Sequence, residues 1–357
     1  MSTMLPPRGF RMPAEWEPHR ATWIAWPHNK TDWPGKFSPI PWVYVEIVRH
    51  LHRSERVCIL VEDGKSEKTA TRLLAQAGVD LSQVDFFCFP TDRGWTRDSG
   101  PIFIKQDGEE KSEVALTNWR FNAWARYPDW KNDNQIPQRI ARRRKLPQYK
   151  PTARRGRGEV RVVLEGGSID VNGEGTLLTT EGCLLSPIQQ RNPGLNRGDL
   201  EKLFEEYLGV TKIIWLKNGI AGDDTHGHVD DLARFVRRDT VVAATETNAL
   251  DENFVHLKEN LAILKNSTDQ DGHPLKIIPL PMPRPLYYEG QRLPASYANF
   301  YIATKTVLVP TFNDPADREA LGLLAKLFPD RDVVGIHAVD LVLGQGTLHC
   351  LTQQEPC

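Results

Sequence analysis

The chain has 357 residues, 40% hydrophobic and 25% charged, with a formal net charge of −1, the composition of an ordinary soluble globular protein. So balanced a charge argues against nucleic acid or an anionic membrane as the main partner, and five scattered cysteines make neither a disulfide framework nor a zinc motif. Met1 to Phe10 carries no apolar core of signal-peptide type and no stretch reaches membrane-spanning length, so a cytoplasmic protein is expected.

In chain order, Arg56–Val61 is a continuous apolar run that predicts a buried strand. A helix follows with Ala70, Leu73, Leu74 and Ala77 on one face and Gly78 as its stop, then a strand over 84–89. Cys58 and Cys88 fall inside these runs and are expected in the core. Hairpin-like strands are predicted over 101–104, 113–119, 160–164 and 175–185. The stretch 139–161 is rich in Arg and Lys and broken by Pro147 and Pro151, which predicts a solvated loop. Leu200, Leu203, Phe204, Tyr207 and Leu208 keep helical spacing, with Gly209 as the stop before a strand over 212–216. Phe254, Leu257, Leu261 and Leu264 make another apolar stripe, leading to a strand over 276–280. Strands within 299–310 precede a last helix, capped by Asp314 and opened by Pro315, with Leu321, Leu324, Ala325 and Phe328 inward. A strand over 332–336 follows. Helix plus strands recurs at roughly 60–70 residues, a sign of pseudo-symmetric repetition. No long linker divides the chain, so one domain, 1–357, is expected.

Four segments carry candidate chemistry. Near the end, Gly344-Gln345-Gly346-Thr347-Leu348-His349-Cys350 runs a glycine-spaced turn into a single thiol. Glycines let a neighbour approach closely, so Cys350 reads as either an inert buried cysteine or a nucleophile. Cys183 is expected to serve stability rather than chemistry. In His226-Gly227-His228-Val229-Asp230 the three polar side chains would share one face of a strand. Two functions stay open there: a metal site activating water, or a histidine acid/base beside a carboxylate that holds a cation. Asp98 in Trp95-Thr96-Arg97-Asp98-Ser99-Gly100-Pro101 and Glu165 before Gly166-Gly167 add two carboxylates at strand ends. Three carboxylates, a histidine and a thiol suit attack by sulfur on a planar cationic carbon.

The chain resembles the agmatine deiminase and bacterial peptidylarginine deiminase family of guanidine-modifying enzymes. The resemblance runs from Met12-Pro13-Ala14-Glu15-Trp16-Glu17-Pro18-His19 through Trp119-Arg120-Phe121-Asn122-Ala123-Trp124, Glu165-Gly166-Gly167 and His228-Val229-Asp230. It continues through Pro294-Ala295-Ser296-Tyr297-Ala298-Asn299-Phe300-Tyr301 to Gly346-Thr347-Leu348-His349-Cys350. It implies an α/β fold, the pentein propeller of five pseudo-symmetric ββαβ-type modules, with no metal and no cofactor. Cys350 would be the nucleophile and His228 the acid/base. Asp98 and Asp230 would clamp the guanidinium, Glu165 would orient His228, and Trp95 would wall the cation. Trp124, Asp32 and Trp33 are expected to bind substrate. Asp32 and Trp33, with the nearby run Trp23-Ile24-Ala25-Trp26-Pro27, resemble the agmatine branch. His349, opposite Cys350 on a strand, is expected to pack beneath the site.

The implied reaction is hydrolysis of agmatine to N-carbamoylputrescine and ammonia through a covalent thiouronium on Cys350. The alternative within the class is a deiminase of free or peptidyl arginine. Outside it stand a metal-dependent amidohydrolase and a non-catalytic binding protein of the same fold. A small guanidine is the expected partner, with no nucleic acid and no membrane, and homo-oligomerisation stays open. Three departures from the family pattern bear on substrate choice: Gly344-Gln345-Gly346-Thr347-Leu348 where the family carries a glycine run, His226 where Asp or Asn is usual, and Ala125-Arg126 where glycine is common.

Overall fold

The computed structural model describes residues 4–108, 112–156 and 158–357. Part of the N-terminal reading (Met1 to Thr3) and Arg157 of the basic stretch lie outside these residues.

Five sheets follow one pattern: an antiparallel pair, a helix, and a returning parallel strand. Ile102–Gln106 pairs antiparallel with Glu113–Thr117, and after the helix Ile136–Arg144 the strand Gln148–Tyr149 joins in parallel. The sets Asp170–Val171, Thr176–Thr180, Lys212–Leu216 and Ala233–Arg237, Thr240–Thr245, Lys276–Pro281 repeat it. So does Tyr301–Ile302, Thr306–Thr311, Asp332–His337. The helix is required because parallel neighbours cannot be joined by a tight turn. In the fifth sheet the antiparallel partner comes from the far end of the chain. Gln353–Pro356 lies beside His19–Ala25, which pairs in parallel with Arg56–Val61, and Val84–Cys88 extends the edge. The segment that follows Cys350 is thereby pinned to the first strand.

Three of the helices among the described residues start on side-chain hydrogen bonds, one of them from the predicted Asp314. Asp63 accepts from Lys65 N and Ser66 N ahead of Gly64–Gln76. Asn196 and Asp199 form a reciprocal cap on Arg197–Leu208, and Asp314 Oδ1 accepts from Ala316 N at the start of Ala316–Leu327.

Several expectations need correction. The basic stretch 139–161 holds the end of the helix Ile136–Arg144 and the strands Gln148–Tyr149, Thr152–Arg155 and Gly158–Arg161 rather than a loop. Cys88 is exposed, because the edge strand Val84–Cys88 turns its last side chain outward. Ala325 is exposed, and Ala320, four residues before Leu324, completes the buried face instead. The strand predicted over 175–185 ends at Thr180, whose hydroxyl accepts from Cys183 N and starts the helical turn Glu181–Leu184. The aromatic run at 23–26 is core: Trp23 is fully buried, with its indole N–H on Glu355 at 2.8 Å. Among the described residues no helix is long and apolar enough to cross a membrane.

Gly209 ends its helix at φ +68°, and a Cβ there would lie 2.4 Å from Phe10 O, so the cap also seats the N-terminal segment. Gly209→Ala is expected to destabilise the fold by at least about 1 kcal/mol, read as a lower urea midpoint at unchanged slope.

Candidate active site

Cys350 sits on the one-turn helix Leu348–Leu351, entered through Gln345 at φ +74°. A Cβ at Gly344 would lie 2.7 Å from Trp33 Nε1, and one at Gly346 would lie 3.0 Å from both Cys350 Sγ and the Trp95 ring. The neighbour these glycines admit is the Trp95 indole, which stands over the thiol. Because the segment is helical, the strand argument for His349 fails. Its ring nevertheless lies beneath the site, with Nδ1 2.7 Å from Asp230 and Nε2 2.7 Å from Glu15. Asn299, which the sequence reading left without a role, organises the turn. Its Oδ1 accepts from Thr347 Oγ1 at 2.8 Å and from His349 N at 3.1 Å, while its Nδ2 donates to Cys350 Sγ at 3.1 Å.

Asp98 lies on the helical turn Thr96–Ser99. Its Oδ1 accepts from Gly167 N at 2.9 Å and its Oδ2 from Trp124 Nε1 at 2.8 Å. Trp124 is aimed there by an unusual backbone: Ala123, Trp124 and Ala125 all have positive φ, of 50°, 58° and 53°, and Asn122 Oδ1 holds the turn through Ala125 N. A Cβ at Gly167 would lie 2.6 Å from His228 Nδ1 and 2.8 Å from Asp98 Oδ1. The second glycine after Glu165 is therefore the space in which acid and imidazole meet.

His228 is 1% exposed, with Nδ1 3.7 Å from Asp98 and Nε2 3.6 Å from Glu165. Burial opposes its charge, yet the field of these acids, led by Asp98, holds it well above the usual range. Glu165 is itself gripped by Arg191 Nε at 3.1 and 3.3 Å. That cation, also unforeseen, keeps Glu165 ionised against burial. Asp230 Oδ2 takes His349 and lies 3.6 Å from Cys350 Sγ, whereas the buried Oδ1 has no partner. Burial, opposed by His228 and reinforced by Asp230 and Glu165, pushes Asp98 up to about 6. Burial and then Asp230, Asp231 and Asp98 push the Cys350 thiol far up.

Of these groups, Asp98, Trp95, Trp124 and Cys350 line a cavity of about 430 Å³. Asp32 reaches its outer part, but its carboxylate is ion-paired with Arg93, which also binds Asp129 at 3.1 Å. Trp33 does not face the cavity; it backs Trp95 with ring centroids 5.6 Å apart and donates to Leu341 O. Asp224, holding Tyr127 Oη at 2.6 Å, supplies an outer carboxylate that sequence reading passed over, and Arg126 lines the same end.

His226 is not on the face of His228 and Asp230. The segment turns at His226 (φ +69°) and enters a 3₁₀ turn over Val229–Asp231, so the alternation of a strand never applies. Its ring faces Ser186 Oγ at 3.2 Å. The metal reading loses that ligand. Glu165, Cys183 and His228 do bring ligand atoms within 4.8 Å of one another, though Arg191 already occupies Glu165.

The match that decides the family spans residues 11–356, to Porphyromonas-type peptidyl-arginine deiminases. The chain belongs to this family. It is 36% identical to an agmatine deiminase of Pseudomonas aeruginosa (strain LESB58), covering 98% of the chain and 96% of that protein. The structure of an agmatine deiminase of Enterococcus faecalis superposes with a TM-score of 0.86 at 31% identity, covering 98% and 96%. A substrate-bound C. jejuni agmatine deiminase variant gives 0.83 at 30%, covering 97% and 96%. A putative arginine deiminase of Porphyromonas gingivalis gives 0.83 at 35%, covering 97% and 98%. The α/β pentein fold implied by the resemblance is the fold of this chain.

Gly167→Ala tests the packing of this family site. It is expected to cost about a hundredfold or more in turnover, since a displacement near 1 Å suffices for that, with a melting temperature close to that of the parent.

Proposed function

We propose that the chain hydrolyses the guanidine of agmatine to N-carbamoylputrescine and ammonia. The observation that carries this reading is a pocket lined by Asp98 and the Cys350 thiol, with buried Asp230 3.6 Å from that thiol and its Oδ1 without a hydrogen-bond partner among the described residues. A guanidinium is planar, permanently charged and rich in paired N–H donors, and carboxylates match it in geometry and sign. Trp95 offers its face to the cation.

The electrostatics set the order of events. At rest the surrounding acids keep the thiol protonated. A guanidinium bound by Asp98 and Asp230 offsets their field, and the thiol gives its proton to water. Sulfur then adds to the central carbon. His228, charged at rest, passes its proton to the departing nitrogen, which leaves as ammonia. The neutral imidazole next takes a proton from water, and the hydroxide adds to the S-alkylthiouronium carbon. Collapse breaks the C–S bond, the hydroxyl proton passes to the departing sulfur to restore the resting thiol, and the neutral ureido product is left. Glu165, anchored by Arg191, holds the ring through both transfers.

At the outer end, the Asp224 carboxylate suits a lone ammonium, in keeping with agmatine. Asp32 is a weaker candidate for that role because Arg93 neutralises it. Arg126, exposed at the same end, favours the alternative, arginine with its carboxylate.

Cys350→Ala is expected to abolish turnover with the fold retained, and a haloacetamidine should label Cys350 alone among the thiols; turnover by the alanine protein overturns the mechanism. Asp230→Asn should cost roughly 3–5 kcal/mol in kcat/KM, the scale of a buried charge left half paired. For pH, Asp98 must be ionised to hold the cation, so kcat/KM should fall as pH drops through about 6. A flat acid limb through that region contradicts the clamp. A substrate panel read by ammonia release should rank agmatine above arginine, with Arg126→Ala leaving agmatine turnover intact. Preference for arginine that disappears in Arg126→Ala makes the alternative correct.

A further inference from the structure

Asp230 is held from behind. His349 Nδ1 lies 2.7 Å from its Oδ2, and the opposite ring nitrogen lies 2.7 Å from Glu15 Oε2, with all three side chains buried. An ionised carboxylate only accepts hydrogen bonds, so a ring between two of them donates from both nitrogens and is an imidazolium. Glu15 belongs to the N-terminal segment, 215 positions from Asp230, and has no contact with the pocket. It is fastened on every side: Ile302 N donates to Oε1 at 2.7 Å, Arg234 Nη2 lies 2.9 Å from Oε1, and Arg97 Nη2 lies 3.3 Å from Oε2. Arg234 is in turn fixed by Asp170 at 2.8 Å.

We propose that Glu15 is a positioning residue for the guanidinium clamp, acting through His349 to fix Asp230 with its Oδ1 aimed at the substrate. The physical reason is that a cation behind Asp230 has two effects. It favours the ionised carboxylate at a buried position, and it occupies one oxygen so that the other alone faces the pocket. Without Glu15 the far ring nitrogen of His349 would lose its acceptor, and nothing would then fix the ring, or the donor it holds on Asp230, in place.

This inference rests on the guanidine reading above, and the test separates the two. In the Cys350→Ala full-length protein, binding of agmatine, arginine and N-carbamoylputrescine is measured by calorimetry, with and without Glu15→Gln. The ureido compound has the chain and ammonium of agmatine but no guanidinium charge. Glu15→Gln is expected to weaken agmatine by about tenfold, which is 1.4 kcal/mol, and to leave the ureido compound nearly unchanged. Equal weakening of both ligands, or of neither, overturns the proposal, because a general packing defect does not distinguish the charge. A double-mutant cycle gives a second readout: in an Asp230→Asn background, Glu15→Gln should have little further effect on agmatine. A full additional tenfold loss there also overturns it. If Glu15→Gln does not fold, His349→Asn interrupts the same chain at its middle and should show the same selectivity for charge. If agmatine binds no variant and arginine does, the agmatine reading fails; selective loss of arginine affinity in Glu15→Gln then still supports the role of Glu15.

Discussion

The structure depends on a cluster of acidic side chains buried beside the Cys350 thiol. Asp98, Glu165, Asp230 and Asp231 are all at most 4% exposed, and taking each carboxylate from water costs several kcal/mol unless partners replace the lost solvation. The partners are there, but arranged on the outer side. Arg191 holds Glu165, His349 holds Asp230, and backbone and indole N–H groups hold Asp98. Asp230 Oδ1 is left without a hydrogen-bond partner among the described residues. Burial and these acids push the Cys350 thiol far above the ordinary thiol range. In the proposed mechanism reactivity is thus coupled to occupancy by a cation, and a neutral electrophile meets a protonated sulfur.

Such crowding is possible only because side chains are missing at chosen places. Gly167 and Gly346 stand where a methyl group would collide with His228 or Trp95. The left-handed turn at 123–125 works in the other direction, spending backbone strain to carry the Trp124 indole onto Asp98. The chain ends add a constraint of their own, because Gln353–Pro356 zips onto His19–Ala25 just beyond Cys350. The position of Cys350 is therefore set from both sides, by the glycine turn before it and the strand after it.

The outer cavity is electrically mixed, in contrast to the floor. Arg93 lies 4.4 Å over the Tyr127 ring and pairs with Asp32 and Asp129, while Arg126 lies 5.5 Å from the same ring. Around the thiol acids predominate, with His228 among them. At the mouth the two signs interleave, and discrimination falls to individual pairs such as Tyr127 with Asp224.

Local chemistry was legible in the sequence wherever a pattern needs only near neighbours. Helical stripes such as Leu200 to Leu208, caps such as Asp314, and the apolar strand Arg56–Val61 follow from periodicity and propensity alone, and they stand in the structure. The segments bearing Cys350, His228, Asp98, Asp230 and Glu165 could also be picked out, because polar residues beside glycines at strand ends have few structural uses. Their convergence could not be derived from spacing; only the family resemblance supplied it before the fold did. Tertiary structure alone decided which neighbours each would have. Arg191, Asn299 and Glu15 carry no local signal, since an ion pair or a hydrogen bond across 26, 51 or 334 positions leaves no trace in periodicity. The same limit explains the errors at His226, Trp33 and Cys88. Each was assigned a direction from an assumed strand or loop, and a side chain's direction is set by the backbone turn it sits on and by what the rest of the fold packs against it.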